Sequence, residues 1–173
     1  GVPADGDLWV SYSVNKEDMW ISRIPVPVEI NASAHADDDF SKNKSIAELT
    51  DWNIYSPVLA PVSLEDQWLK LQDKDPFDYA KVERKIPASK ELKVSFDLKA
   101  GQNNKGTLQI EFLDENGIAC SRMELTDDGI FRLKGGSRFA NMMKYEAGKI
   151  YHVEAVLSTV DRNIQVYVDG KRV

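Results

Sequence analysis

Apolar and polar residues alternate along much of this chain, most sharply between Leu92 and Leu133. Leu92, Val94, Phe96 and Leu98 alternate with Lys93, Ser95, Asp97 and Lys99, and Leu108, Ile110 and Phe112 alternate with Gln109 and Glu111. A period of two sends successive side chains to opposite faces, so these runs predict half-buried β-strands. Asn116-Gly117 between two such runs predicts a two-residue type I′ hairpin, whose central residues both need positive φ. That loop sets Leu108 opposite Leu125, Ile110 opposite Met123 and Phe112 opposite Ser121. On the other face Glu111 meets Arg122, Gln109 meets Glu124, and Cys120 lies opposite Leu113. At Thr126-Asp127-Asp128-Gly129 a two-residue loop would mix the faces. A three-residue loop with Gly129 left-handed restores them, with Leu125 opposite Phe131 and Met123 opposite Leu133. A loop from Ala100 to Gly106 would bring Phe96 opposite Ile110, so four strands share one apolar face that must be covered.

Upstream, Leu8–Ser13 and Asp18–Ile24 read as a hairpin around Asn15-Lys16-Glu17. Trp9 and Trp20 fall with the serines, and Leu8, Val10 and Tyr12 form the other face. Both faces carry large apolar groups, and a lone hairpin is marginal in water, so the pair wants cover. Pro25-Val26-Pro27 ends it. Residues 29–44 are polar, and Ser45-Ile46-Ala47-Glu48 has capping-box spacing for a short helical turn. Val62–Leu64 and Trp68–Leu71 are short strand candidates, followed by Tyr79–Ile86. Arg84 falls on the apolar face of that last run. It either snorkels at the sheet margin, the simpler reading, or pairs inward with a carboxylate. After Leu133 the chain turns irregular around Phe139, Met142 and Met143. Tyr151, Val153, Ala155 and Leu157 then alternate, and a loop at Ser158–Asn163 sets Ala155 opposite Val166. Closely spaced turns, many short strands and almost no helix predict an all-β sandwich or barrel. The expected organisation is a hairpin at 1–28, a linker with a short helical turn at 29–50, and a β-sandwich at 51–173.

Composition narrows the function classes. The 173 residues carry 28 acidic and 22 basic side chains, a net charge of −6, which disfavours a nucleic-acid partner. No apolar run approaches the ~20 residues of a membrane helix. The single cysteine, Cys120, excludes an internal disulfide and reads as a structural thiol. The chain opens Gly-Val-Pro-Ala-Asp-Gly without methionine, which reads as a processed or excised fragment.

The search for chemistry yields binding candidates and no catalytic set. His35 and His152 are the only histidines, and His152 falls on the face opposite the core. Glycoside hydrolysis needs two carboxyl groups roughly 5–10 Å apart across one bond. Glu111-Phe-Leu-Asp114-Glu115 has the wrong spacing for the single-strand acid pair of laminarinase-type jelly rolls, and Glu111 and Glu124 already have Arg122 and Gln109 as neighbours. No catalytic residue is assigned. Asp73, Asp75 and Asp78 resemble the opening of a calcium loop, and Ca²⁺ is the one cofactor they would suit. Phe77 and Asp78 stand where an EF-hand needs an oxygen ligand and a glycine, so it is not an EF-hand, and Asp75-Pro76 also reads as a plain turn starter. Sugar binding uses aromatic faces with polar groups at the rim. The aromatic residues outside the core alternation are Trp52, Tyr55, Trp68, Phe77 and Tyr79, each also suited to ordinary packing.

Two stretches carry a resemblance. Asp7-Leu-Trp-Val-Ser-Tyr-Ser-Val-Asn-Lys-Glu-Asp-Met-Trp-Ile-Ser-Arg-Ile-Pro-Val-Pro-Val28 resembles the last strands of Bacteroidetes BNR-repeat, sialidase-like propeller proteins. Asp51-Trp-Asn-Ile-Tyr-Ser-Pro57 and Asp75-Pro-Phe-Asp-Tyr-Ala-Lys-Val-Glu-Arg84 look like the module that follows such propellers. From Trp68 onward the pattern is similar to laminin-G/concanavalin A-like jelly-roll sandwiches, including the turn at Tyr167–Gly170. The resemblance implies an exported, periplasmic or extracellular glycoside hydrolase-like parent whose chemistry sits in the propeller. No Asp-box and no sialidase catalytic residue is present in this sequence. The expectation is a non-catalytic carbohydrate-binding or accessory module with a glycan and the preceding propeller as partners. A purely structural brace is the first alternative, and a glycosidase or lyase with its own site is the second.

Overall fold

A computed structural model describes residues 6–14, 18–26 and 35–173. The expected hairpin loop at Asn15–Glu17, the exit at Pro27 and the first half of the linker lie outside the described residues. The chain divides into two compact units, 1–87 and 88–173.

In the first unit β1 (Gly6–Val14) and β2 (Asp18–Val26) form the antiparallel hairpin, with Leu8 opposite Ile24 and Tyr12 opposite Trp20. Directly opposed residues share a face. Trp20 therefore stands with Leu8, Val10 and Tyr12, while Trp9 shares the other face with Met19 and Ile21. This corrects the expected grouping of Trp9 with Trp20. Pairing Val14 with Asp18 offsets the two strands so that their tryptophans point opposite ways. Ile46–Glu48 is a single 3₁₀ turn. Ser45 makes no side-chain cap, and Glu48 Oε2 accepts the N–H of Lys44, one residue before the cap, at 2.9 Å, so the expected capping box does not form.

β3 (Trp52–Tyr55) pairs with β6 (Lys81–Arg84), and β4 (Val62–Glu65) pairs with β5 (Trp68–Leu71). The β4–β5 turn is Asp66-Gln67, with φ of 49° and 65°. It is a positive-φ turn made without glycine, a conformation that costs non-glycine residues energy. Leu49, Ala60 and Val62 are the buried apolar residues of this unit among the described residues.

The second unit holds eight strands: β7 (Glu91–Lys99), β8 (Leu108–Leu113), β9 (Ala119–Leu125), β10 (Ile130–Gly135), β11 (Arg138–Lys144), β12 (Ile150–Ser158), β13 (Asn163–Val168) and β14 (Lys171–Arg172). They form two antiparallel four-stranded sheets, ordered β11-β10-β9-β8 and β14-β13-β12-β7. Met123, Leu125 and Phe131 of the first pack in one core with Val153, Ala155, Val166 and Val168 of the second. The fold is thus an all-β sandwich preceded by a β-hairpin.

The register of β8, β9 and β10 follows the alternation. Leu108 faces Leu125, Ile110 faces Met123, Leu125 faces Phe131 and Met123 faces Leu133. Gly129 is left-handed, with φ 76°, in a three-residue loop. Ala155 likewise faces Val166.

Three expectations are corrected. First, the Asn116-Gly117 turn is not type I′, because Gly117 has φ 77° and Asn116 is not in the positive-φ region. Asp114 Oδ1 accepts the N–H groups of Asn116 (2.9 Å) and Ile118 (2.8 Å), favouring a three-residue loop closed by Asp114 and Ile118. A bulge then restores the register: Leu113 faces Ala119, Cys120 is the extra residue, and Phe112 faces Ser121. Second, Phe96 faces Val153, not Ile110, because β7 belongs to the opposite sheet. Its apolar face does turn inward, and the loop after Lys99 crosses between layers. Third, the stretch around Phe139 is a strand, β11, interrupted by a bulge at Met142 and joined to β10 by a turn in which Gly136 has φ 61°.

Candidate functional site

The five aromatic candidates separate into two environments. Trp52 and Trp68 are half-buried. The Trp52 ring lies tilted against Phe40, centroids 5.8 Å apart, and its Nε1 is buried without an acceptor. Both tryptophans serve packing. Tyr55, Phe77 and Tyr79 are 47%, 96% and 59% exposed.

Local chemistry brings the two tyrosines together, while Phe77 stands exposed two residues before Tyr79. Tyr55 ends β3, where its outward position follows from strand alternation. Phe77 and Tyr79 lie in the turn before β6. The Tyr55 and Tyr79 rings stand 5.9 Å apart, tilted at 59°, within the contact range of aromatic pairs. The Tyr55 hydroxyl donates to Asp78 Oδ2 at 2.7 Å. That bond, with lesser contributions from burial and the Asp78 charge, raises the phenol above its ordinary pKa. The result is a small aromatic ledge with a carboxylate at its rim.

The three aspartates between β5 and β6 are spent on the turn itself. Asp73 Oδ1 accepts the Asp75 N–H at 2.8 Å, Asp75 Oδ1 the Phe77 N–H at 2.9 Å, and Asp78 Oδ1 the Tyr79 N–H at 2.9 Å. Successive Asx turns shape the loop that presents Phe77 and Tyr79. Asp73, Asp75 and Asp78 are not brought together as a ligand set, and among the described residues no three acidic, histidine or cysteine side chains converge as a metal site.

The remaining candidates are structurally engaged. Glu124, only 3% exposed, accepts from Arg132 Nε (2.8 Å) and Gln109 Nε2 (3.2 Å). Glu111 accepts from Arg122 Nε at 2.7 Å. Arg132 also lies over the Phe139 ring, 4.1 Å from its centroid. These contacts occupy the carboxylates of both Glu111 and Glu124. His152 is exposed and bonded through Nδ1 to Asp97 Oδ1 at 2.8 Å. Cys120 is exposed, with Sγ 3.1 Å from the Phe112 carbonyl.

Sequence reasoning favoured a snorkelling Arg84, and the structure shows the paired one. Its side chain is 12% exposed and its Nε and Nη2 bind Asp38 (2.9 Å) and Asp51 (3.2 Å). Asp38, one of three successive aspartates at 37–39, is thus held by Arg84. The signal available was an arginine on an apolar strand face with two acidic stretches upstream. The Tyr55–Asp78 bond had no comparable signal, since the two are 23 residues apart.

No helix among the described residues is long and apolar enough to cross a membrane. A comparison with curated proteins found no match. A solved structure titled "Sialidase" matches 100% of this chain at 90% identity and a TM-score of 0.88, and the chain spans 16% of that protein's length. The family described as "Sialidase-like, CBM domain" matches residues 52–173, from β3 through the end of the sandwich. The chain belongs to this sialidase-like carbohydrate-binding-module family.

Proposed function

We propose that this chain is a non-catalytic carbohydrate-binding module of a longer, exported sialidase-like glycoside hydrolase. Its glycan rests on the ledge of Tyr55, Phe77 and Tyr79. The observation that carries the reading is the pair of exposed tyrosine rings beside Asp78, which offers an apolar surface for a sugar's C–H face and an acceptor for its hydroxyls. Family membership supports carbohydrate as the ligand class, and export to the periplasm or beyond fits a partner found there. A glycan array followed by calorimetry tests it. Tyr55→Ala and Tyr79→Ala should each weaken the best glycan about tenfold, equivalent to roughly 1.4 kcal/mol, with Tyr55→Phe intermediate. Unchanged affinity in both alanine variants would remove the ledge from the proposal.

A second role, as a brace or joint to the rest of the longer chain, is favoured by the hairpin. Trp9, Met19, Trp20 and Ile21 are between 54% and 75% exposed and occupy both of its faces. Such faces suit burial against a neighbouring propeller domain. An independent glycosidase or lyase site has less support, because Glu111 and Glu124 are held by arginines.

A further inference from the structure

We infer that the outer face of β7, β12 and β13 carries a second glycan subsite, separate from the tyrosine ledge and selective for a neutral pyranoside. A shallow groove of about 390 Å³, open to solvent, lies there. Its lining includes Glu91, Lys93, Val156, Asp161, Asn163 and Gln165. Val156 lies between Lys93 and Gln165 in the sheet, an apolar position on an otherwise polar outward row. That combination matches a pyranose, which presents a C–H face inside a ring of hydroxyls.

The rim is polar and partly unspent. Tyr167 donates its hydroxyl to Gln165 Oε1 at 2.9 Å, which holds the amide and leaves its NH₂ to donate. The Asn163 amide and the Glu91 carboxylate have no side-chain partner among the described residues. Donors and acceptors thus stand together around the groove, as a hydroxyl needs.

The walls are also fixed in advance. The Thr159 N–H and hydroxyl both donate to the Lys90 carbonyl, at 2.8 and 3.1 Å, tying the β12–β13 turn to the corner before β7. Within that turn the Asp161 N–H donates to Ser158 Oγ at 3.1 Å. Ordering the site on binding therefore costs little.

Charge selects among sugars. The rim carries the carboxylates of Glu91 and Asp161, and its one ammonium, Lys93, is already paired with Glu154 at 2.8 Å. An acidic sugar would bring a third carboxylate beside Glu91 and Asp161, where the one ammonium of the lining is already paired and the neighbouring Lys90 and Arg162 are not lining residues, whereas a neutral sugar adds no like charge.

Amide NMR of the full chain tests the inference, with methyl β-galactopyranoside, methyl β-glucopyranoside, N-acetylglucosamine and N-acetylneuraminic acid as probes. At least one neutral probe should shift the resonances of Val156, Asn163 and Gln165 saturably in the millimolar range. N-acetylneuraminic acid should bind there at least about tenfold more weakly. Asn163→Ala and Gln165→Ala should each cost about tenfold in affinity at this subsite, the loss of one or two hydrogen bonds. Tyr55→Ala should leave these shifts in place, so failure of the ledge and failure of the groove read out separately. The inference is overturned if no neutral probe shifts these resonances, if the acidic sugar binds as well as the neutral ones, or if both alanine variants, folded by circular dichroism, bind as before.

Discussion

Arg84 holds together segments that are distant in the chain. Its Nε reaches Asp38 at 2.9 Å, its Nη2 reaches Asp51 Oδ2 at 3.2 Å, and its Nη1 donates to the Asp51 carbonyl at 3.4 Å. A planar fork of donors can serve all three at once, and a lysine cannot. With the side chain 12% exposed, removing it leaves the half-buried Asp38 and the more exposed Asp51 without their partner. Arg84→Ala should therefore destabilise the first unit by about 2–3 kcal/mol, with Arg84→Lys recovering less than half. Urea unfolding followed by tryptophan fluorescence reads this directly, because all four tryptophans lie within residues 1–87. A change below about 0.5 kcal/mol would mean the pairing is no stronger than a surface ion pair. The same residue shows where sequence reading stops. The alternation placed Arg84 on the right face, but which carboxylate it meets depends on a fold-back of 46 residues to Asp38, which no local pattern encodes.

At the scale of elements, turn chemistry and strand period are separate sources of register. In the β8–β9 hairpin both agree on Ile110 opposite Met123, yet the turn is not the one that Asn-Gly suggests. The Asp114 carboxylate, with two backbone N–H groups in reach, stabilises a longer loop, and the bulge at Cys120 absorbs the added residue. Apolar burial of Met123 and Leu125 is worth several kcal/mol, so the strand faces hold and the turn adapts. This sets a discriminating pair of substitutions. Asn116→Ala should be nearly neutral, within about 0.5 kcal/mol, since its φ needs no left-handed residue. Asp114→Ala should cost about 1–2 kcal/mol for its two lost bonds. Thermal unfolding by circular dichroism compares them, and the reverse order would restore the type I′ description. Face alternation was legible throughout the sandwich, while strand partners were legible only where a short turn joined them. Beyond the loop following Lys99, the pattern of Phe96 says which way it points but not whether Ile110 or Val153 lies alongside. The binding ledge was legible as a set of aromatic residues. Its selection of Tyr55, Phe77 and Tyr79 over Trp52 and Trp68 required burial, which depends on the rest of the fold.

At the scale of the whole molecule, the hairpin and the family module are distinguishable parts. The family match begins at residue 52, and among the described residues β1 and β2 form a two-stranded sheet of their own. Removing residues 1–34 breaks no backbone ladder of the sandwich, whose sheets are built from residues 91–172. It also removes Trp9, Met19, Trp20 and Ile21, the exposed apolar side chains carried by both hairpin faces. Exposed apolar patches of this kind promote self-association when nothing covers them. A chain beginning at His35 should therefore keep its thermal midpoint for the sandwich within about 4 °C, a shift of roughly 1 kcal/mol for a domain of this size. It should also remain monomeric at concentrations where the longer chain associates. Calorimetry and light scattering on the two chains decide the matter. A collapse of the midpoint would make the hairpin part of the module's own folding unit. A preserved midpoint with improved solubility would leave it as a joint whose cover belongs to the rest of a sialidase-like protein, and would place both proposed sugar sites on the part that stands without it.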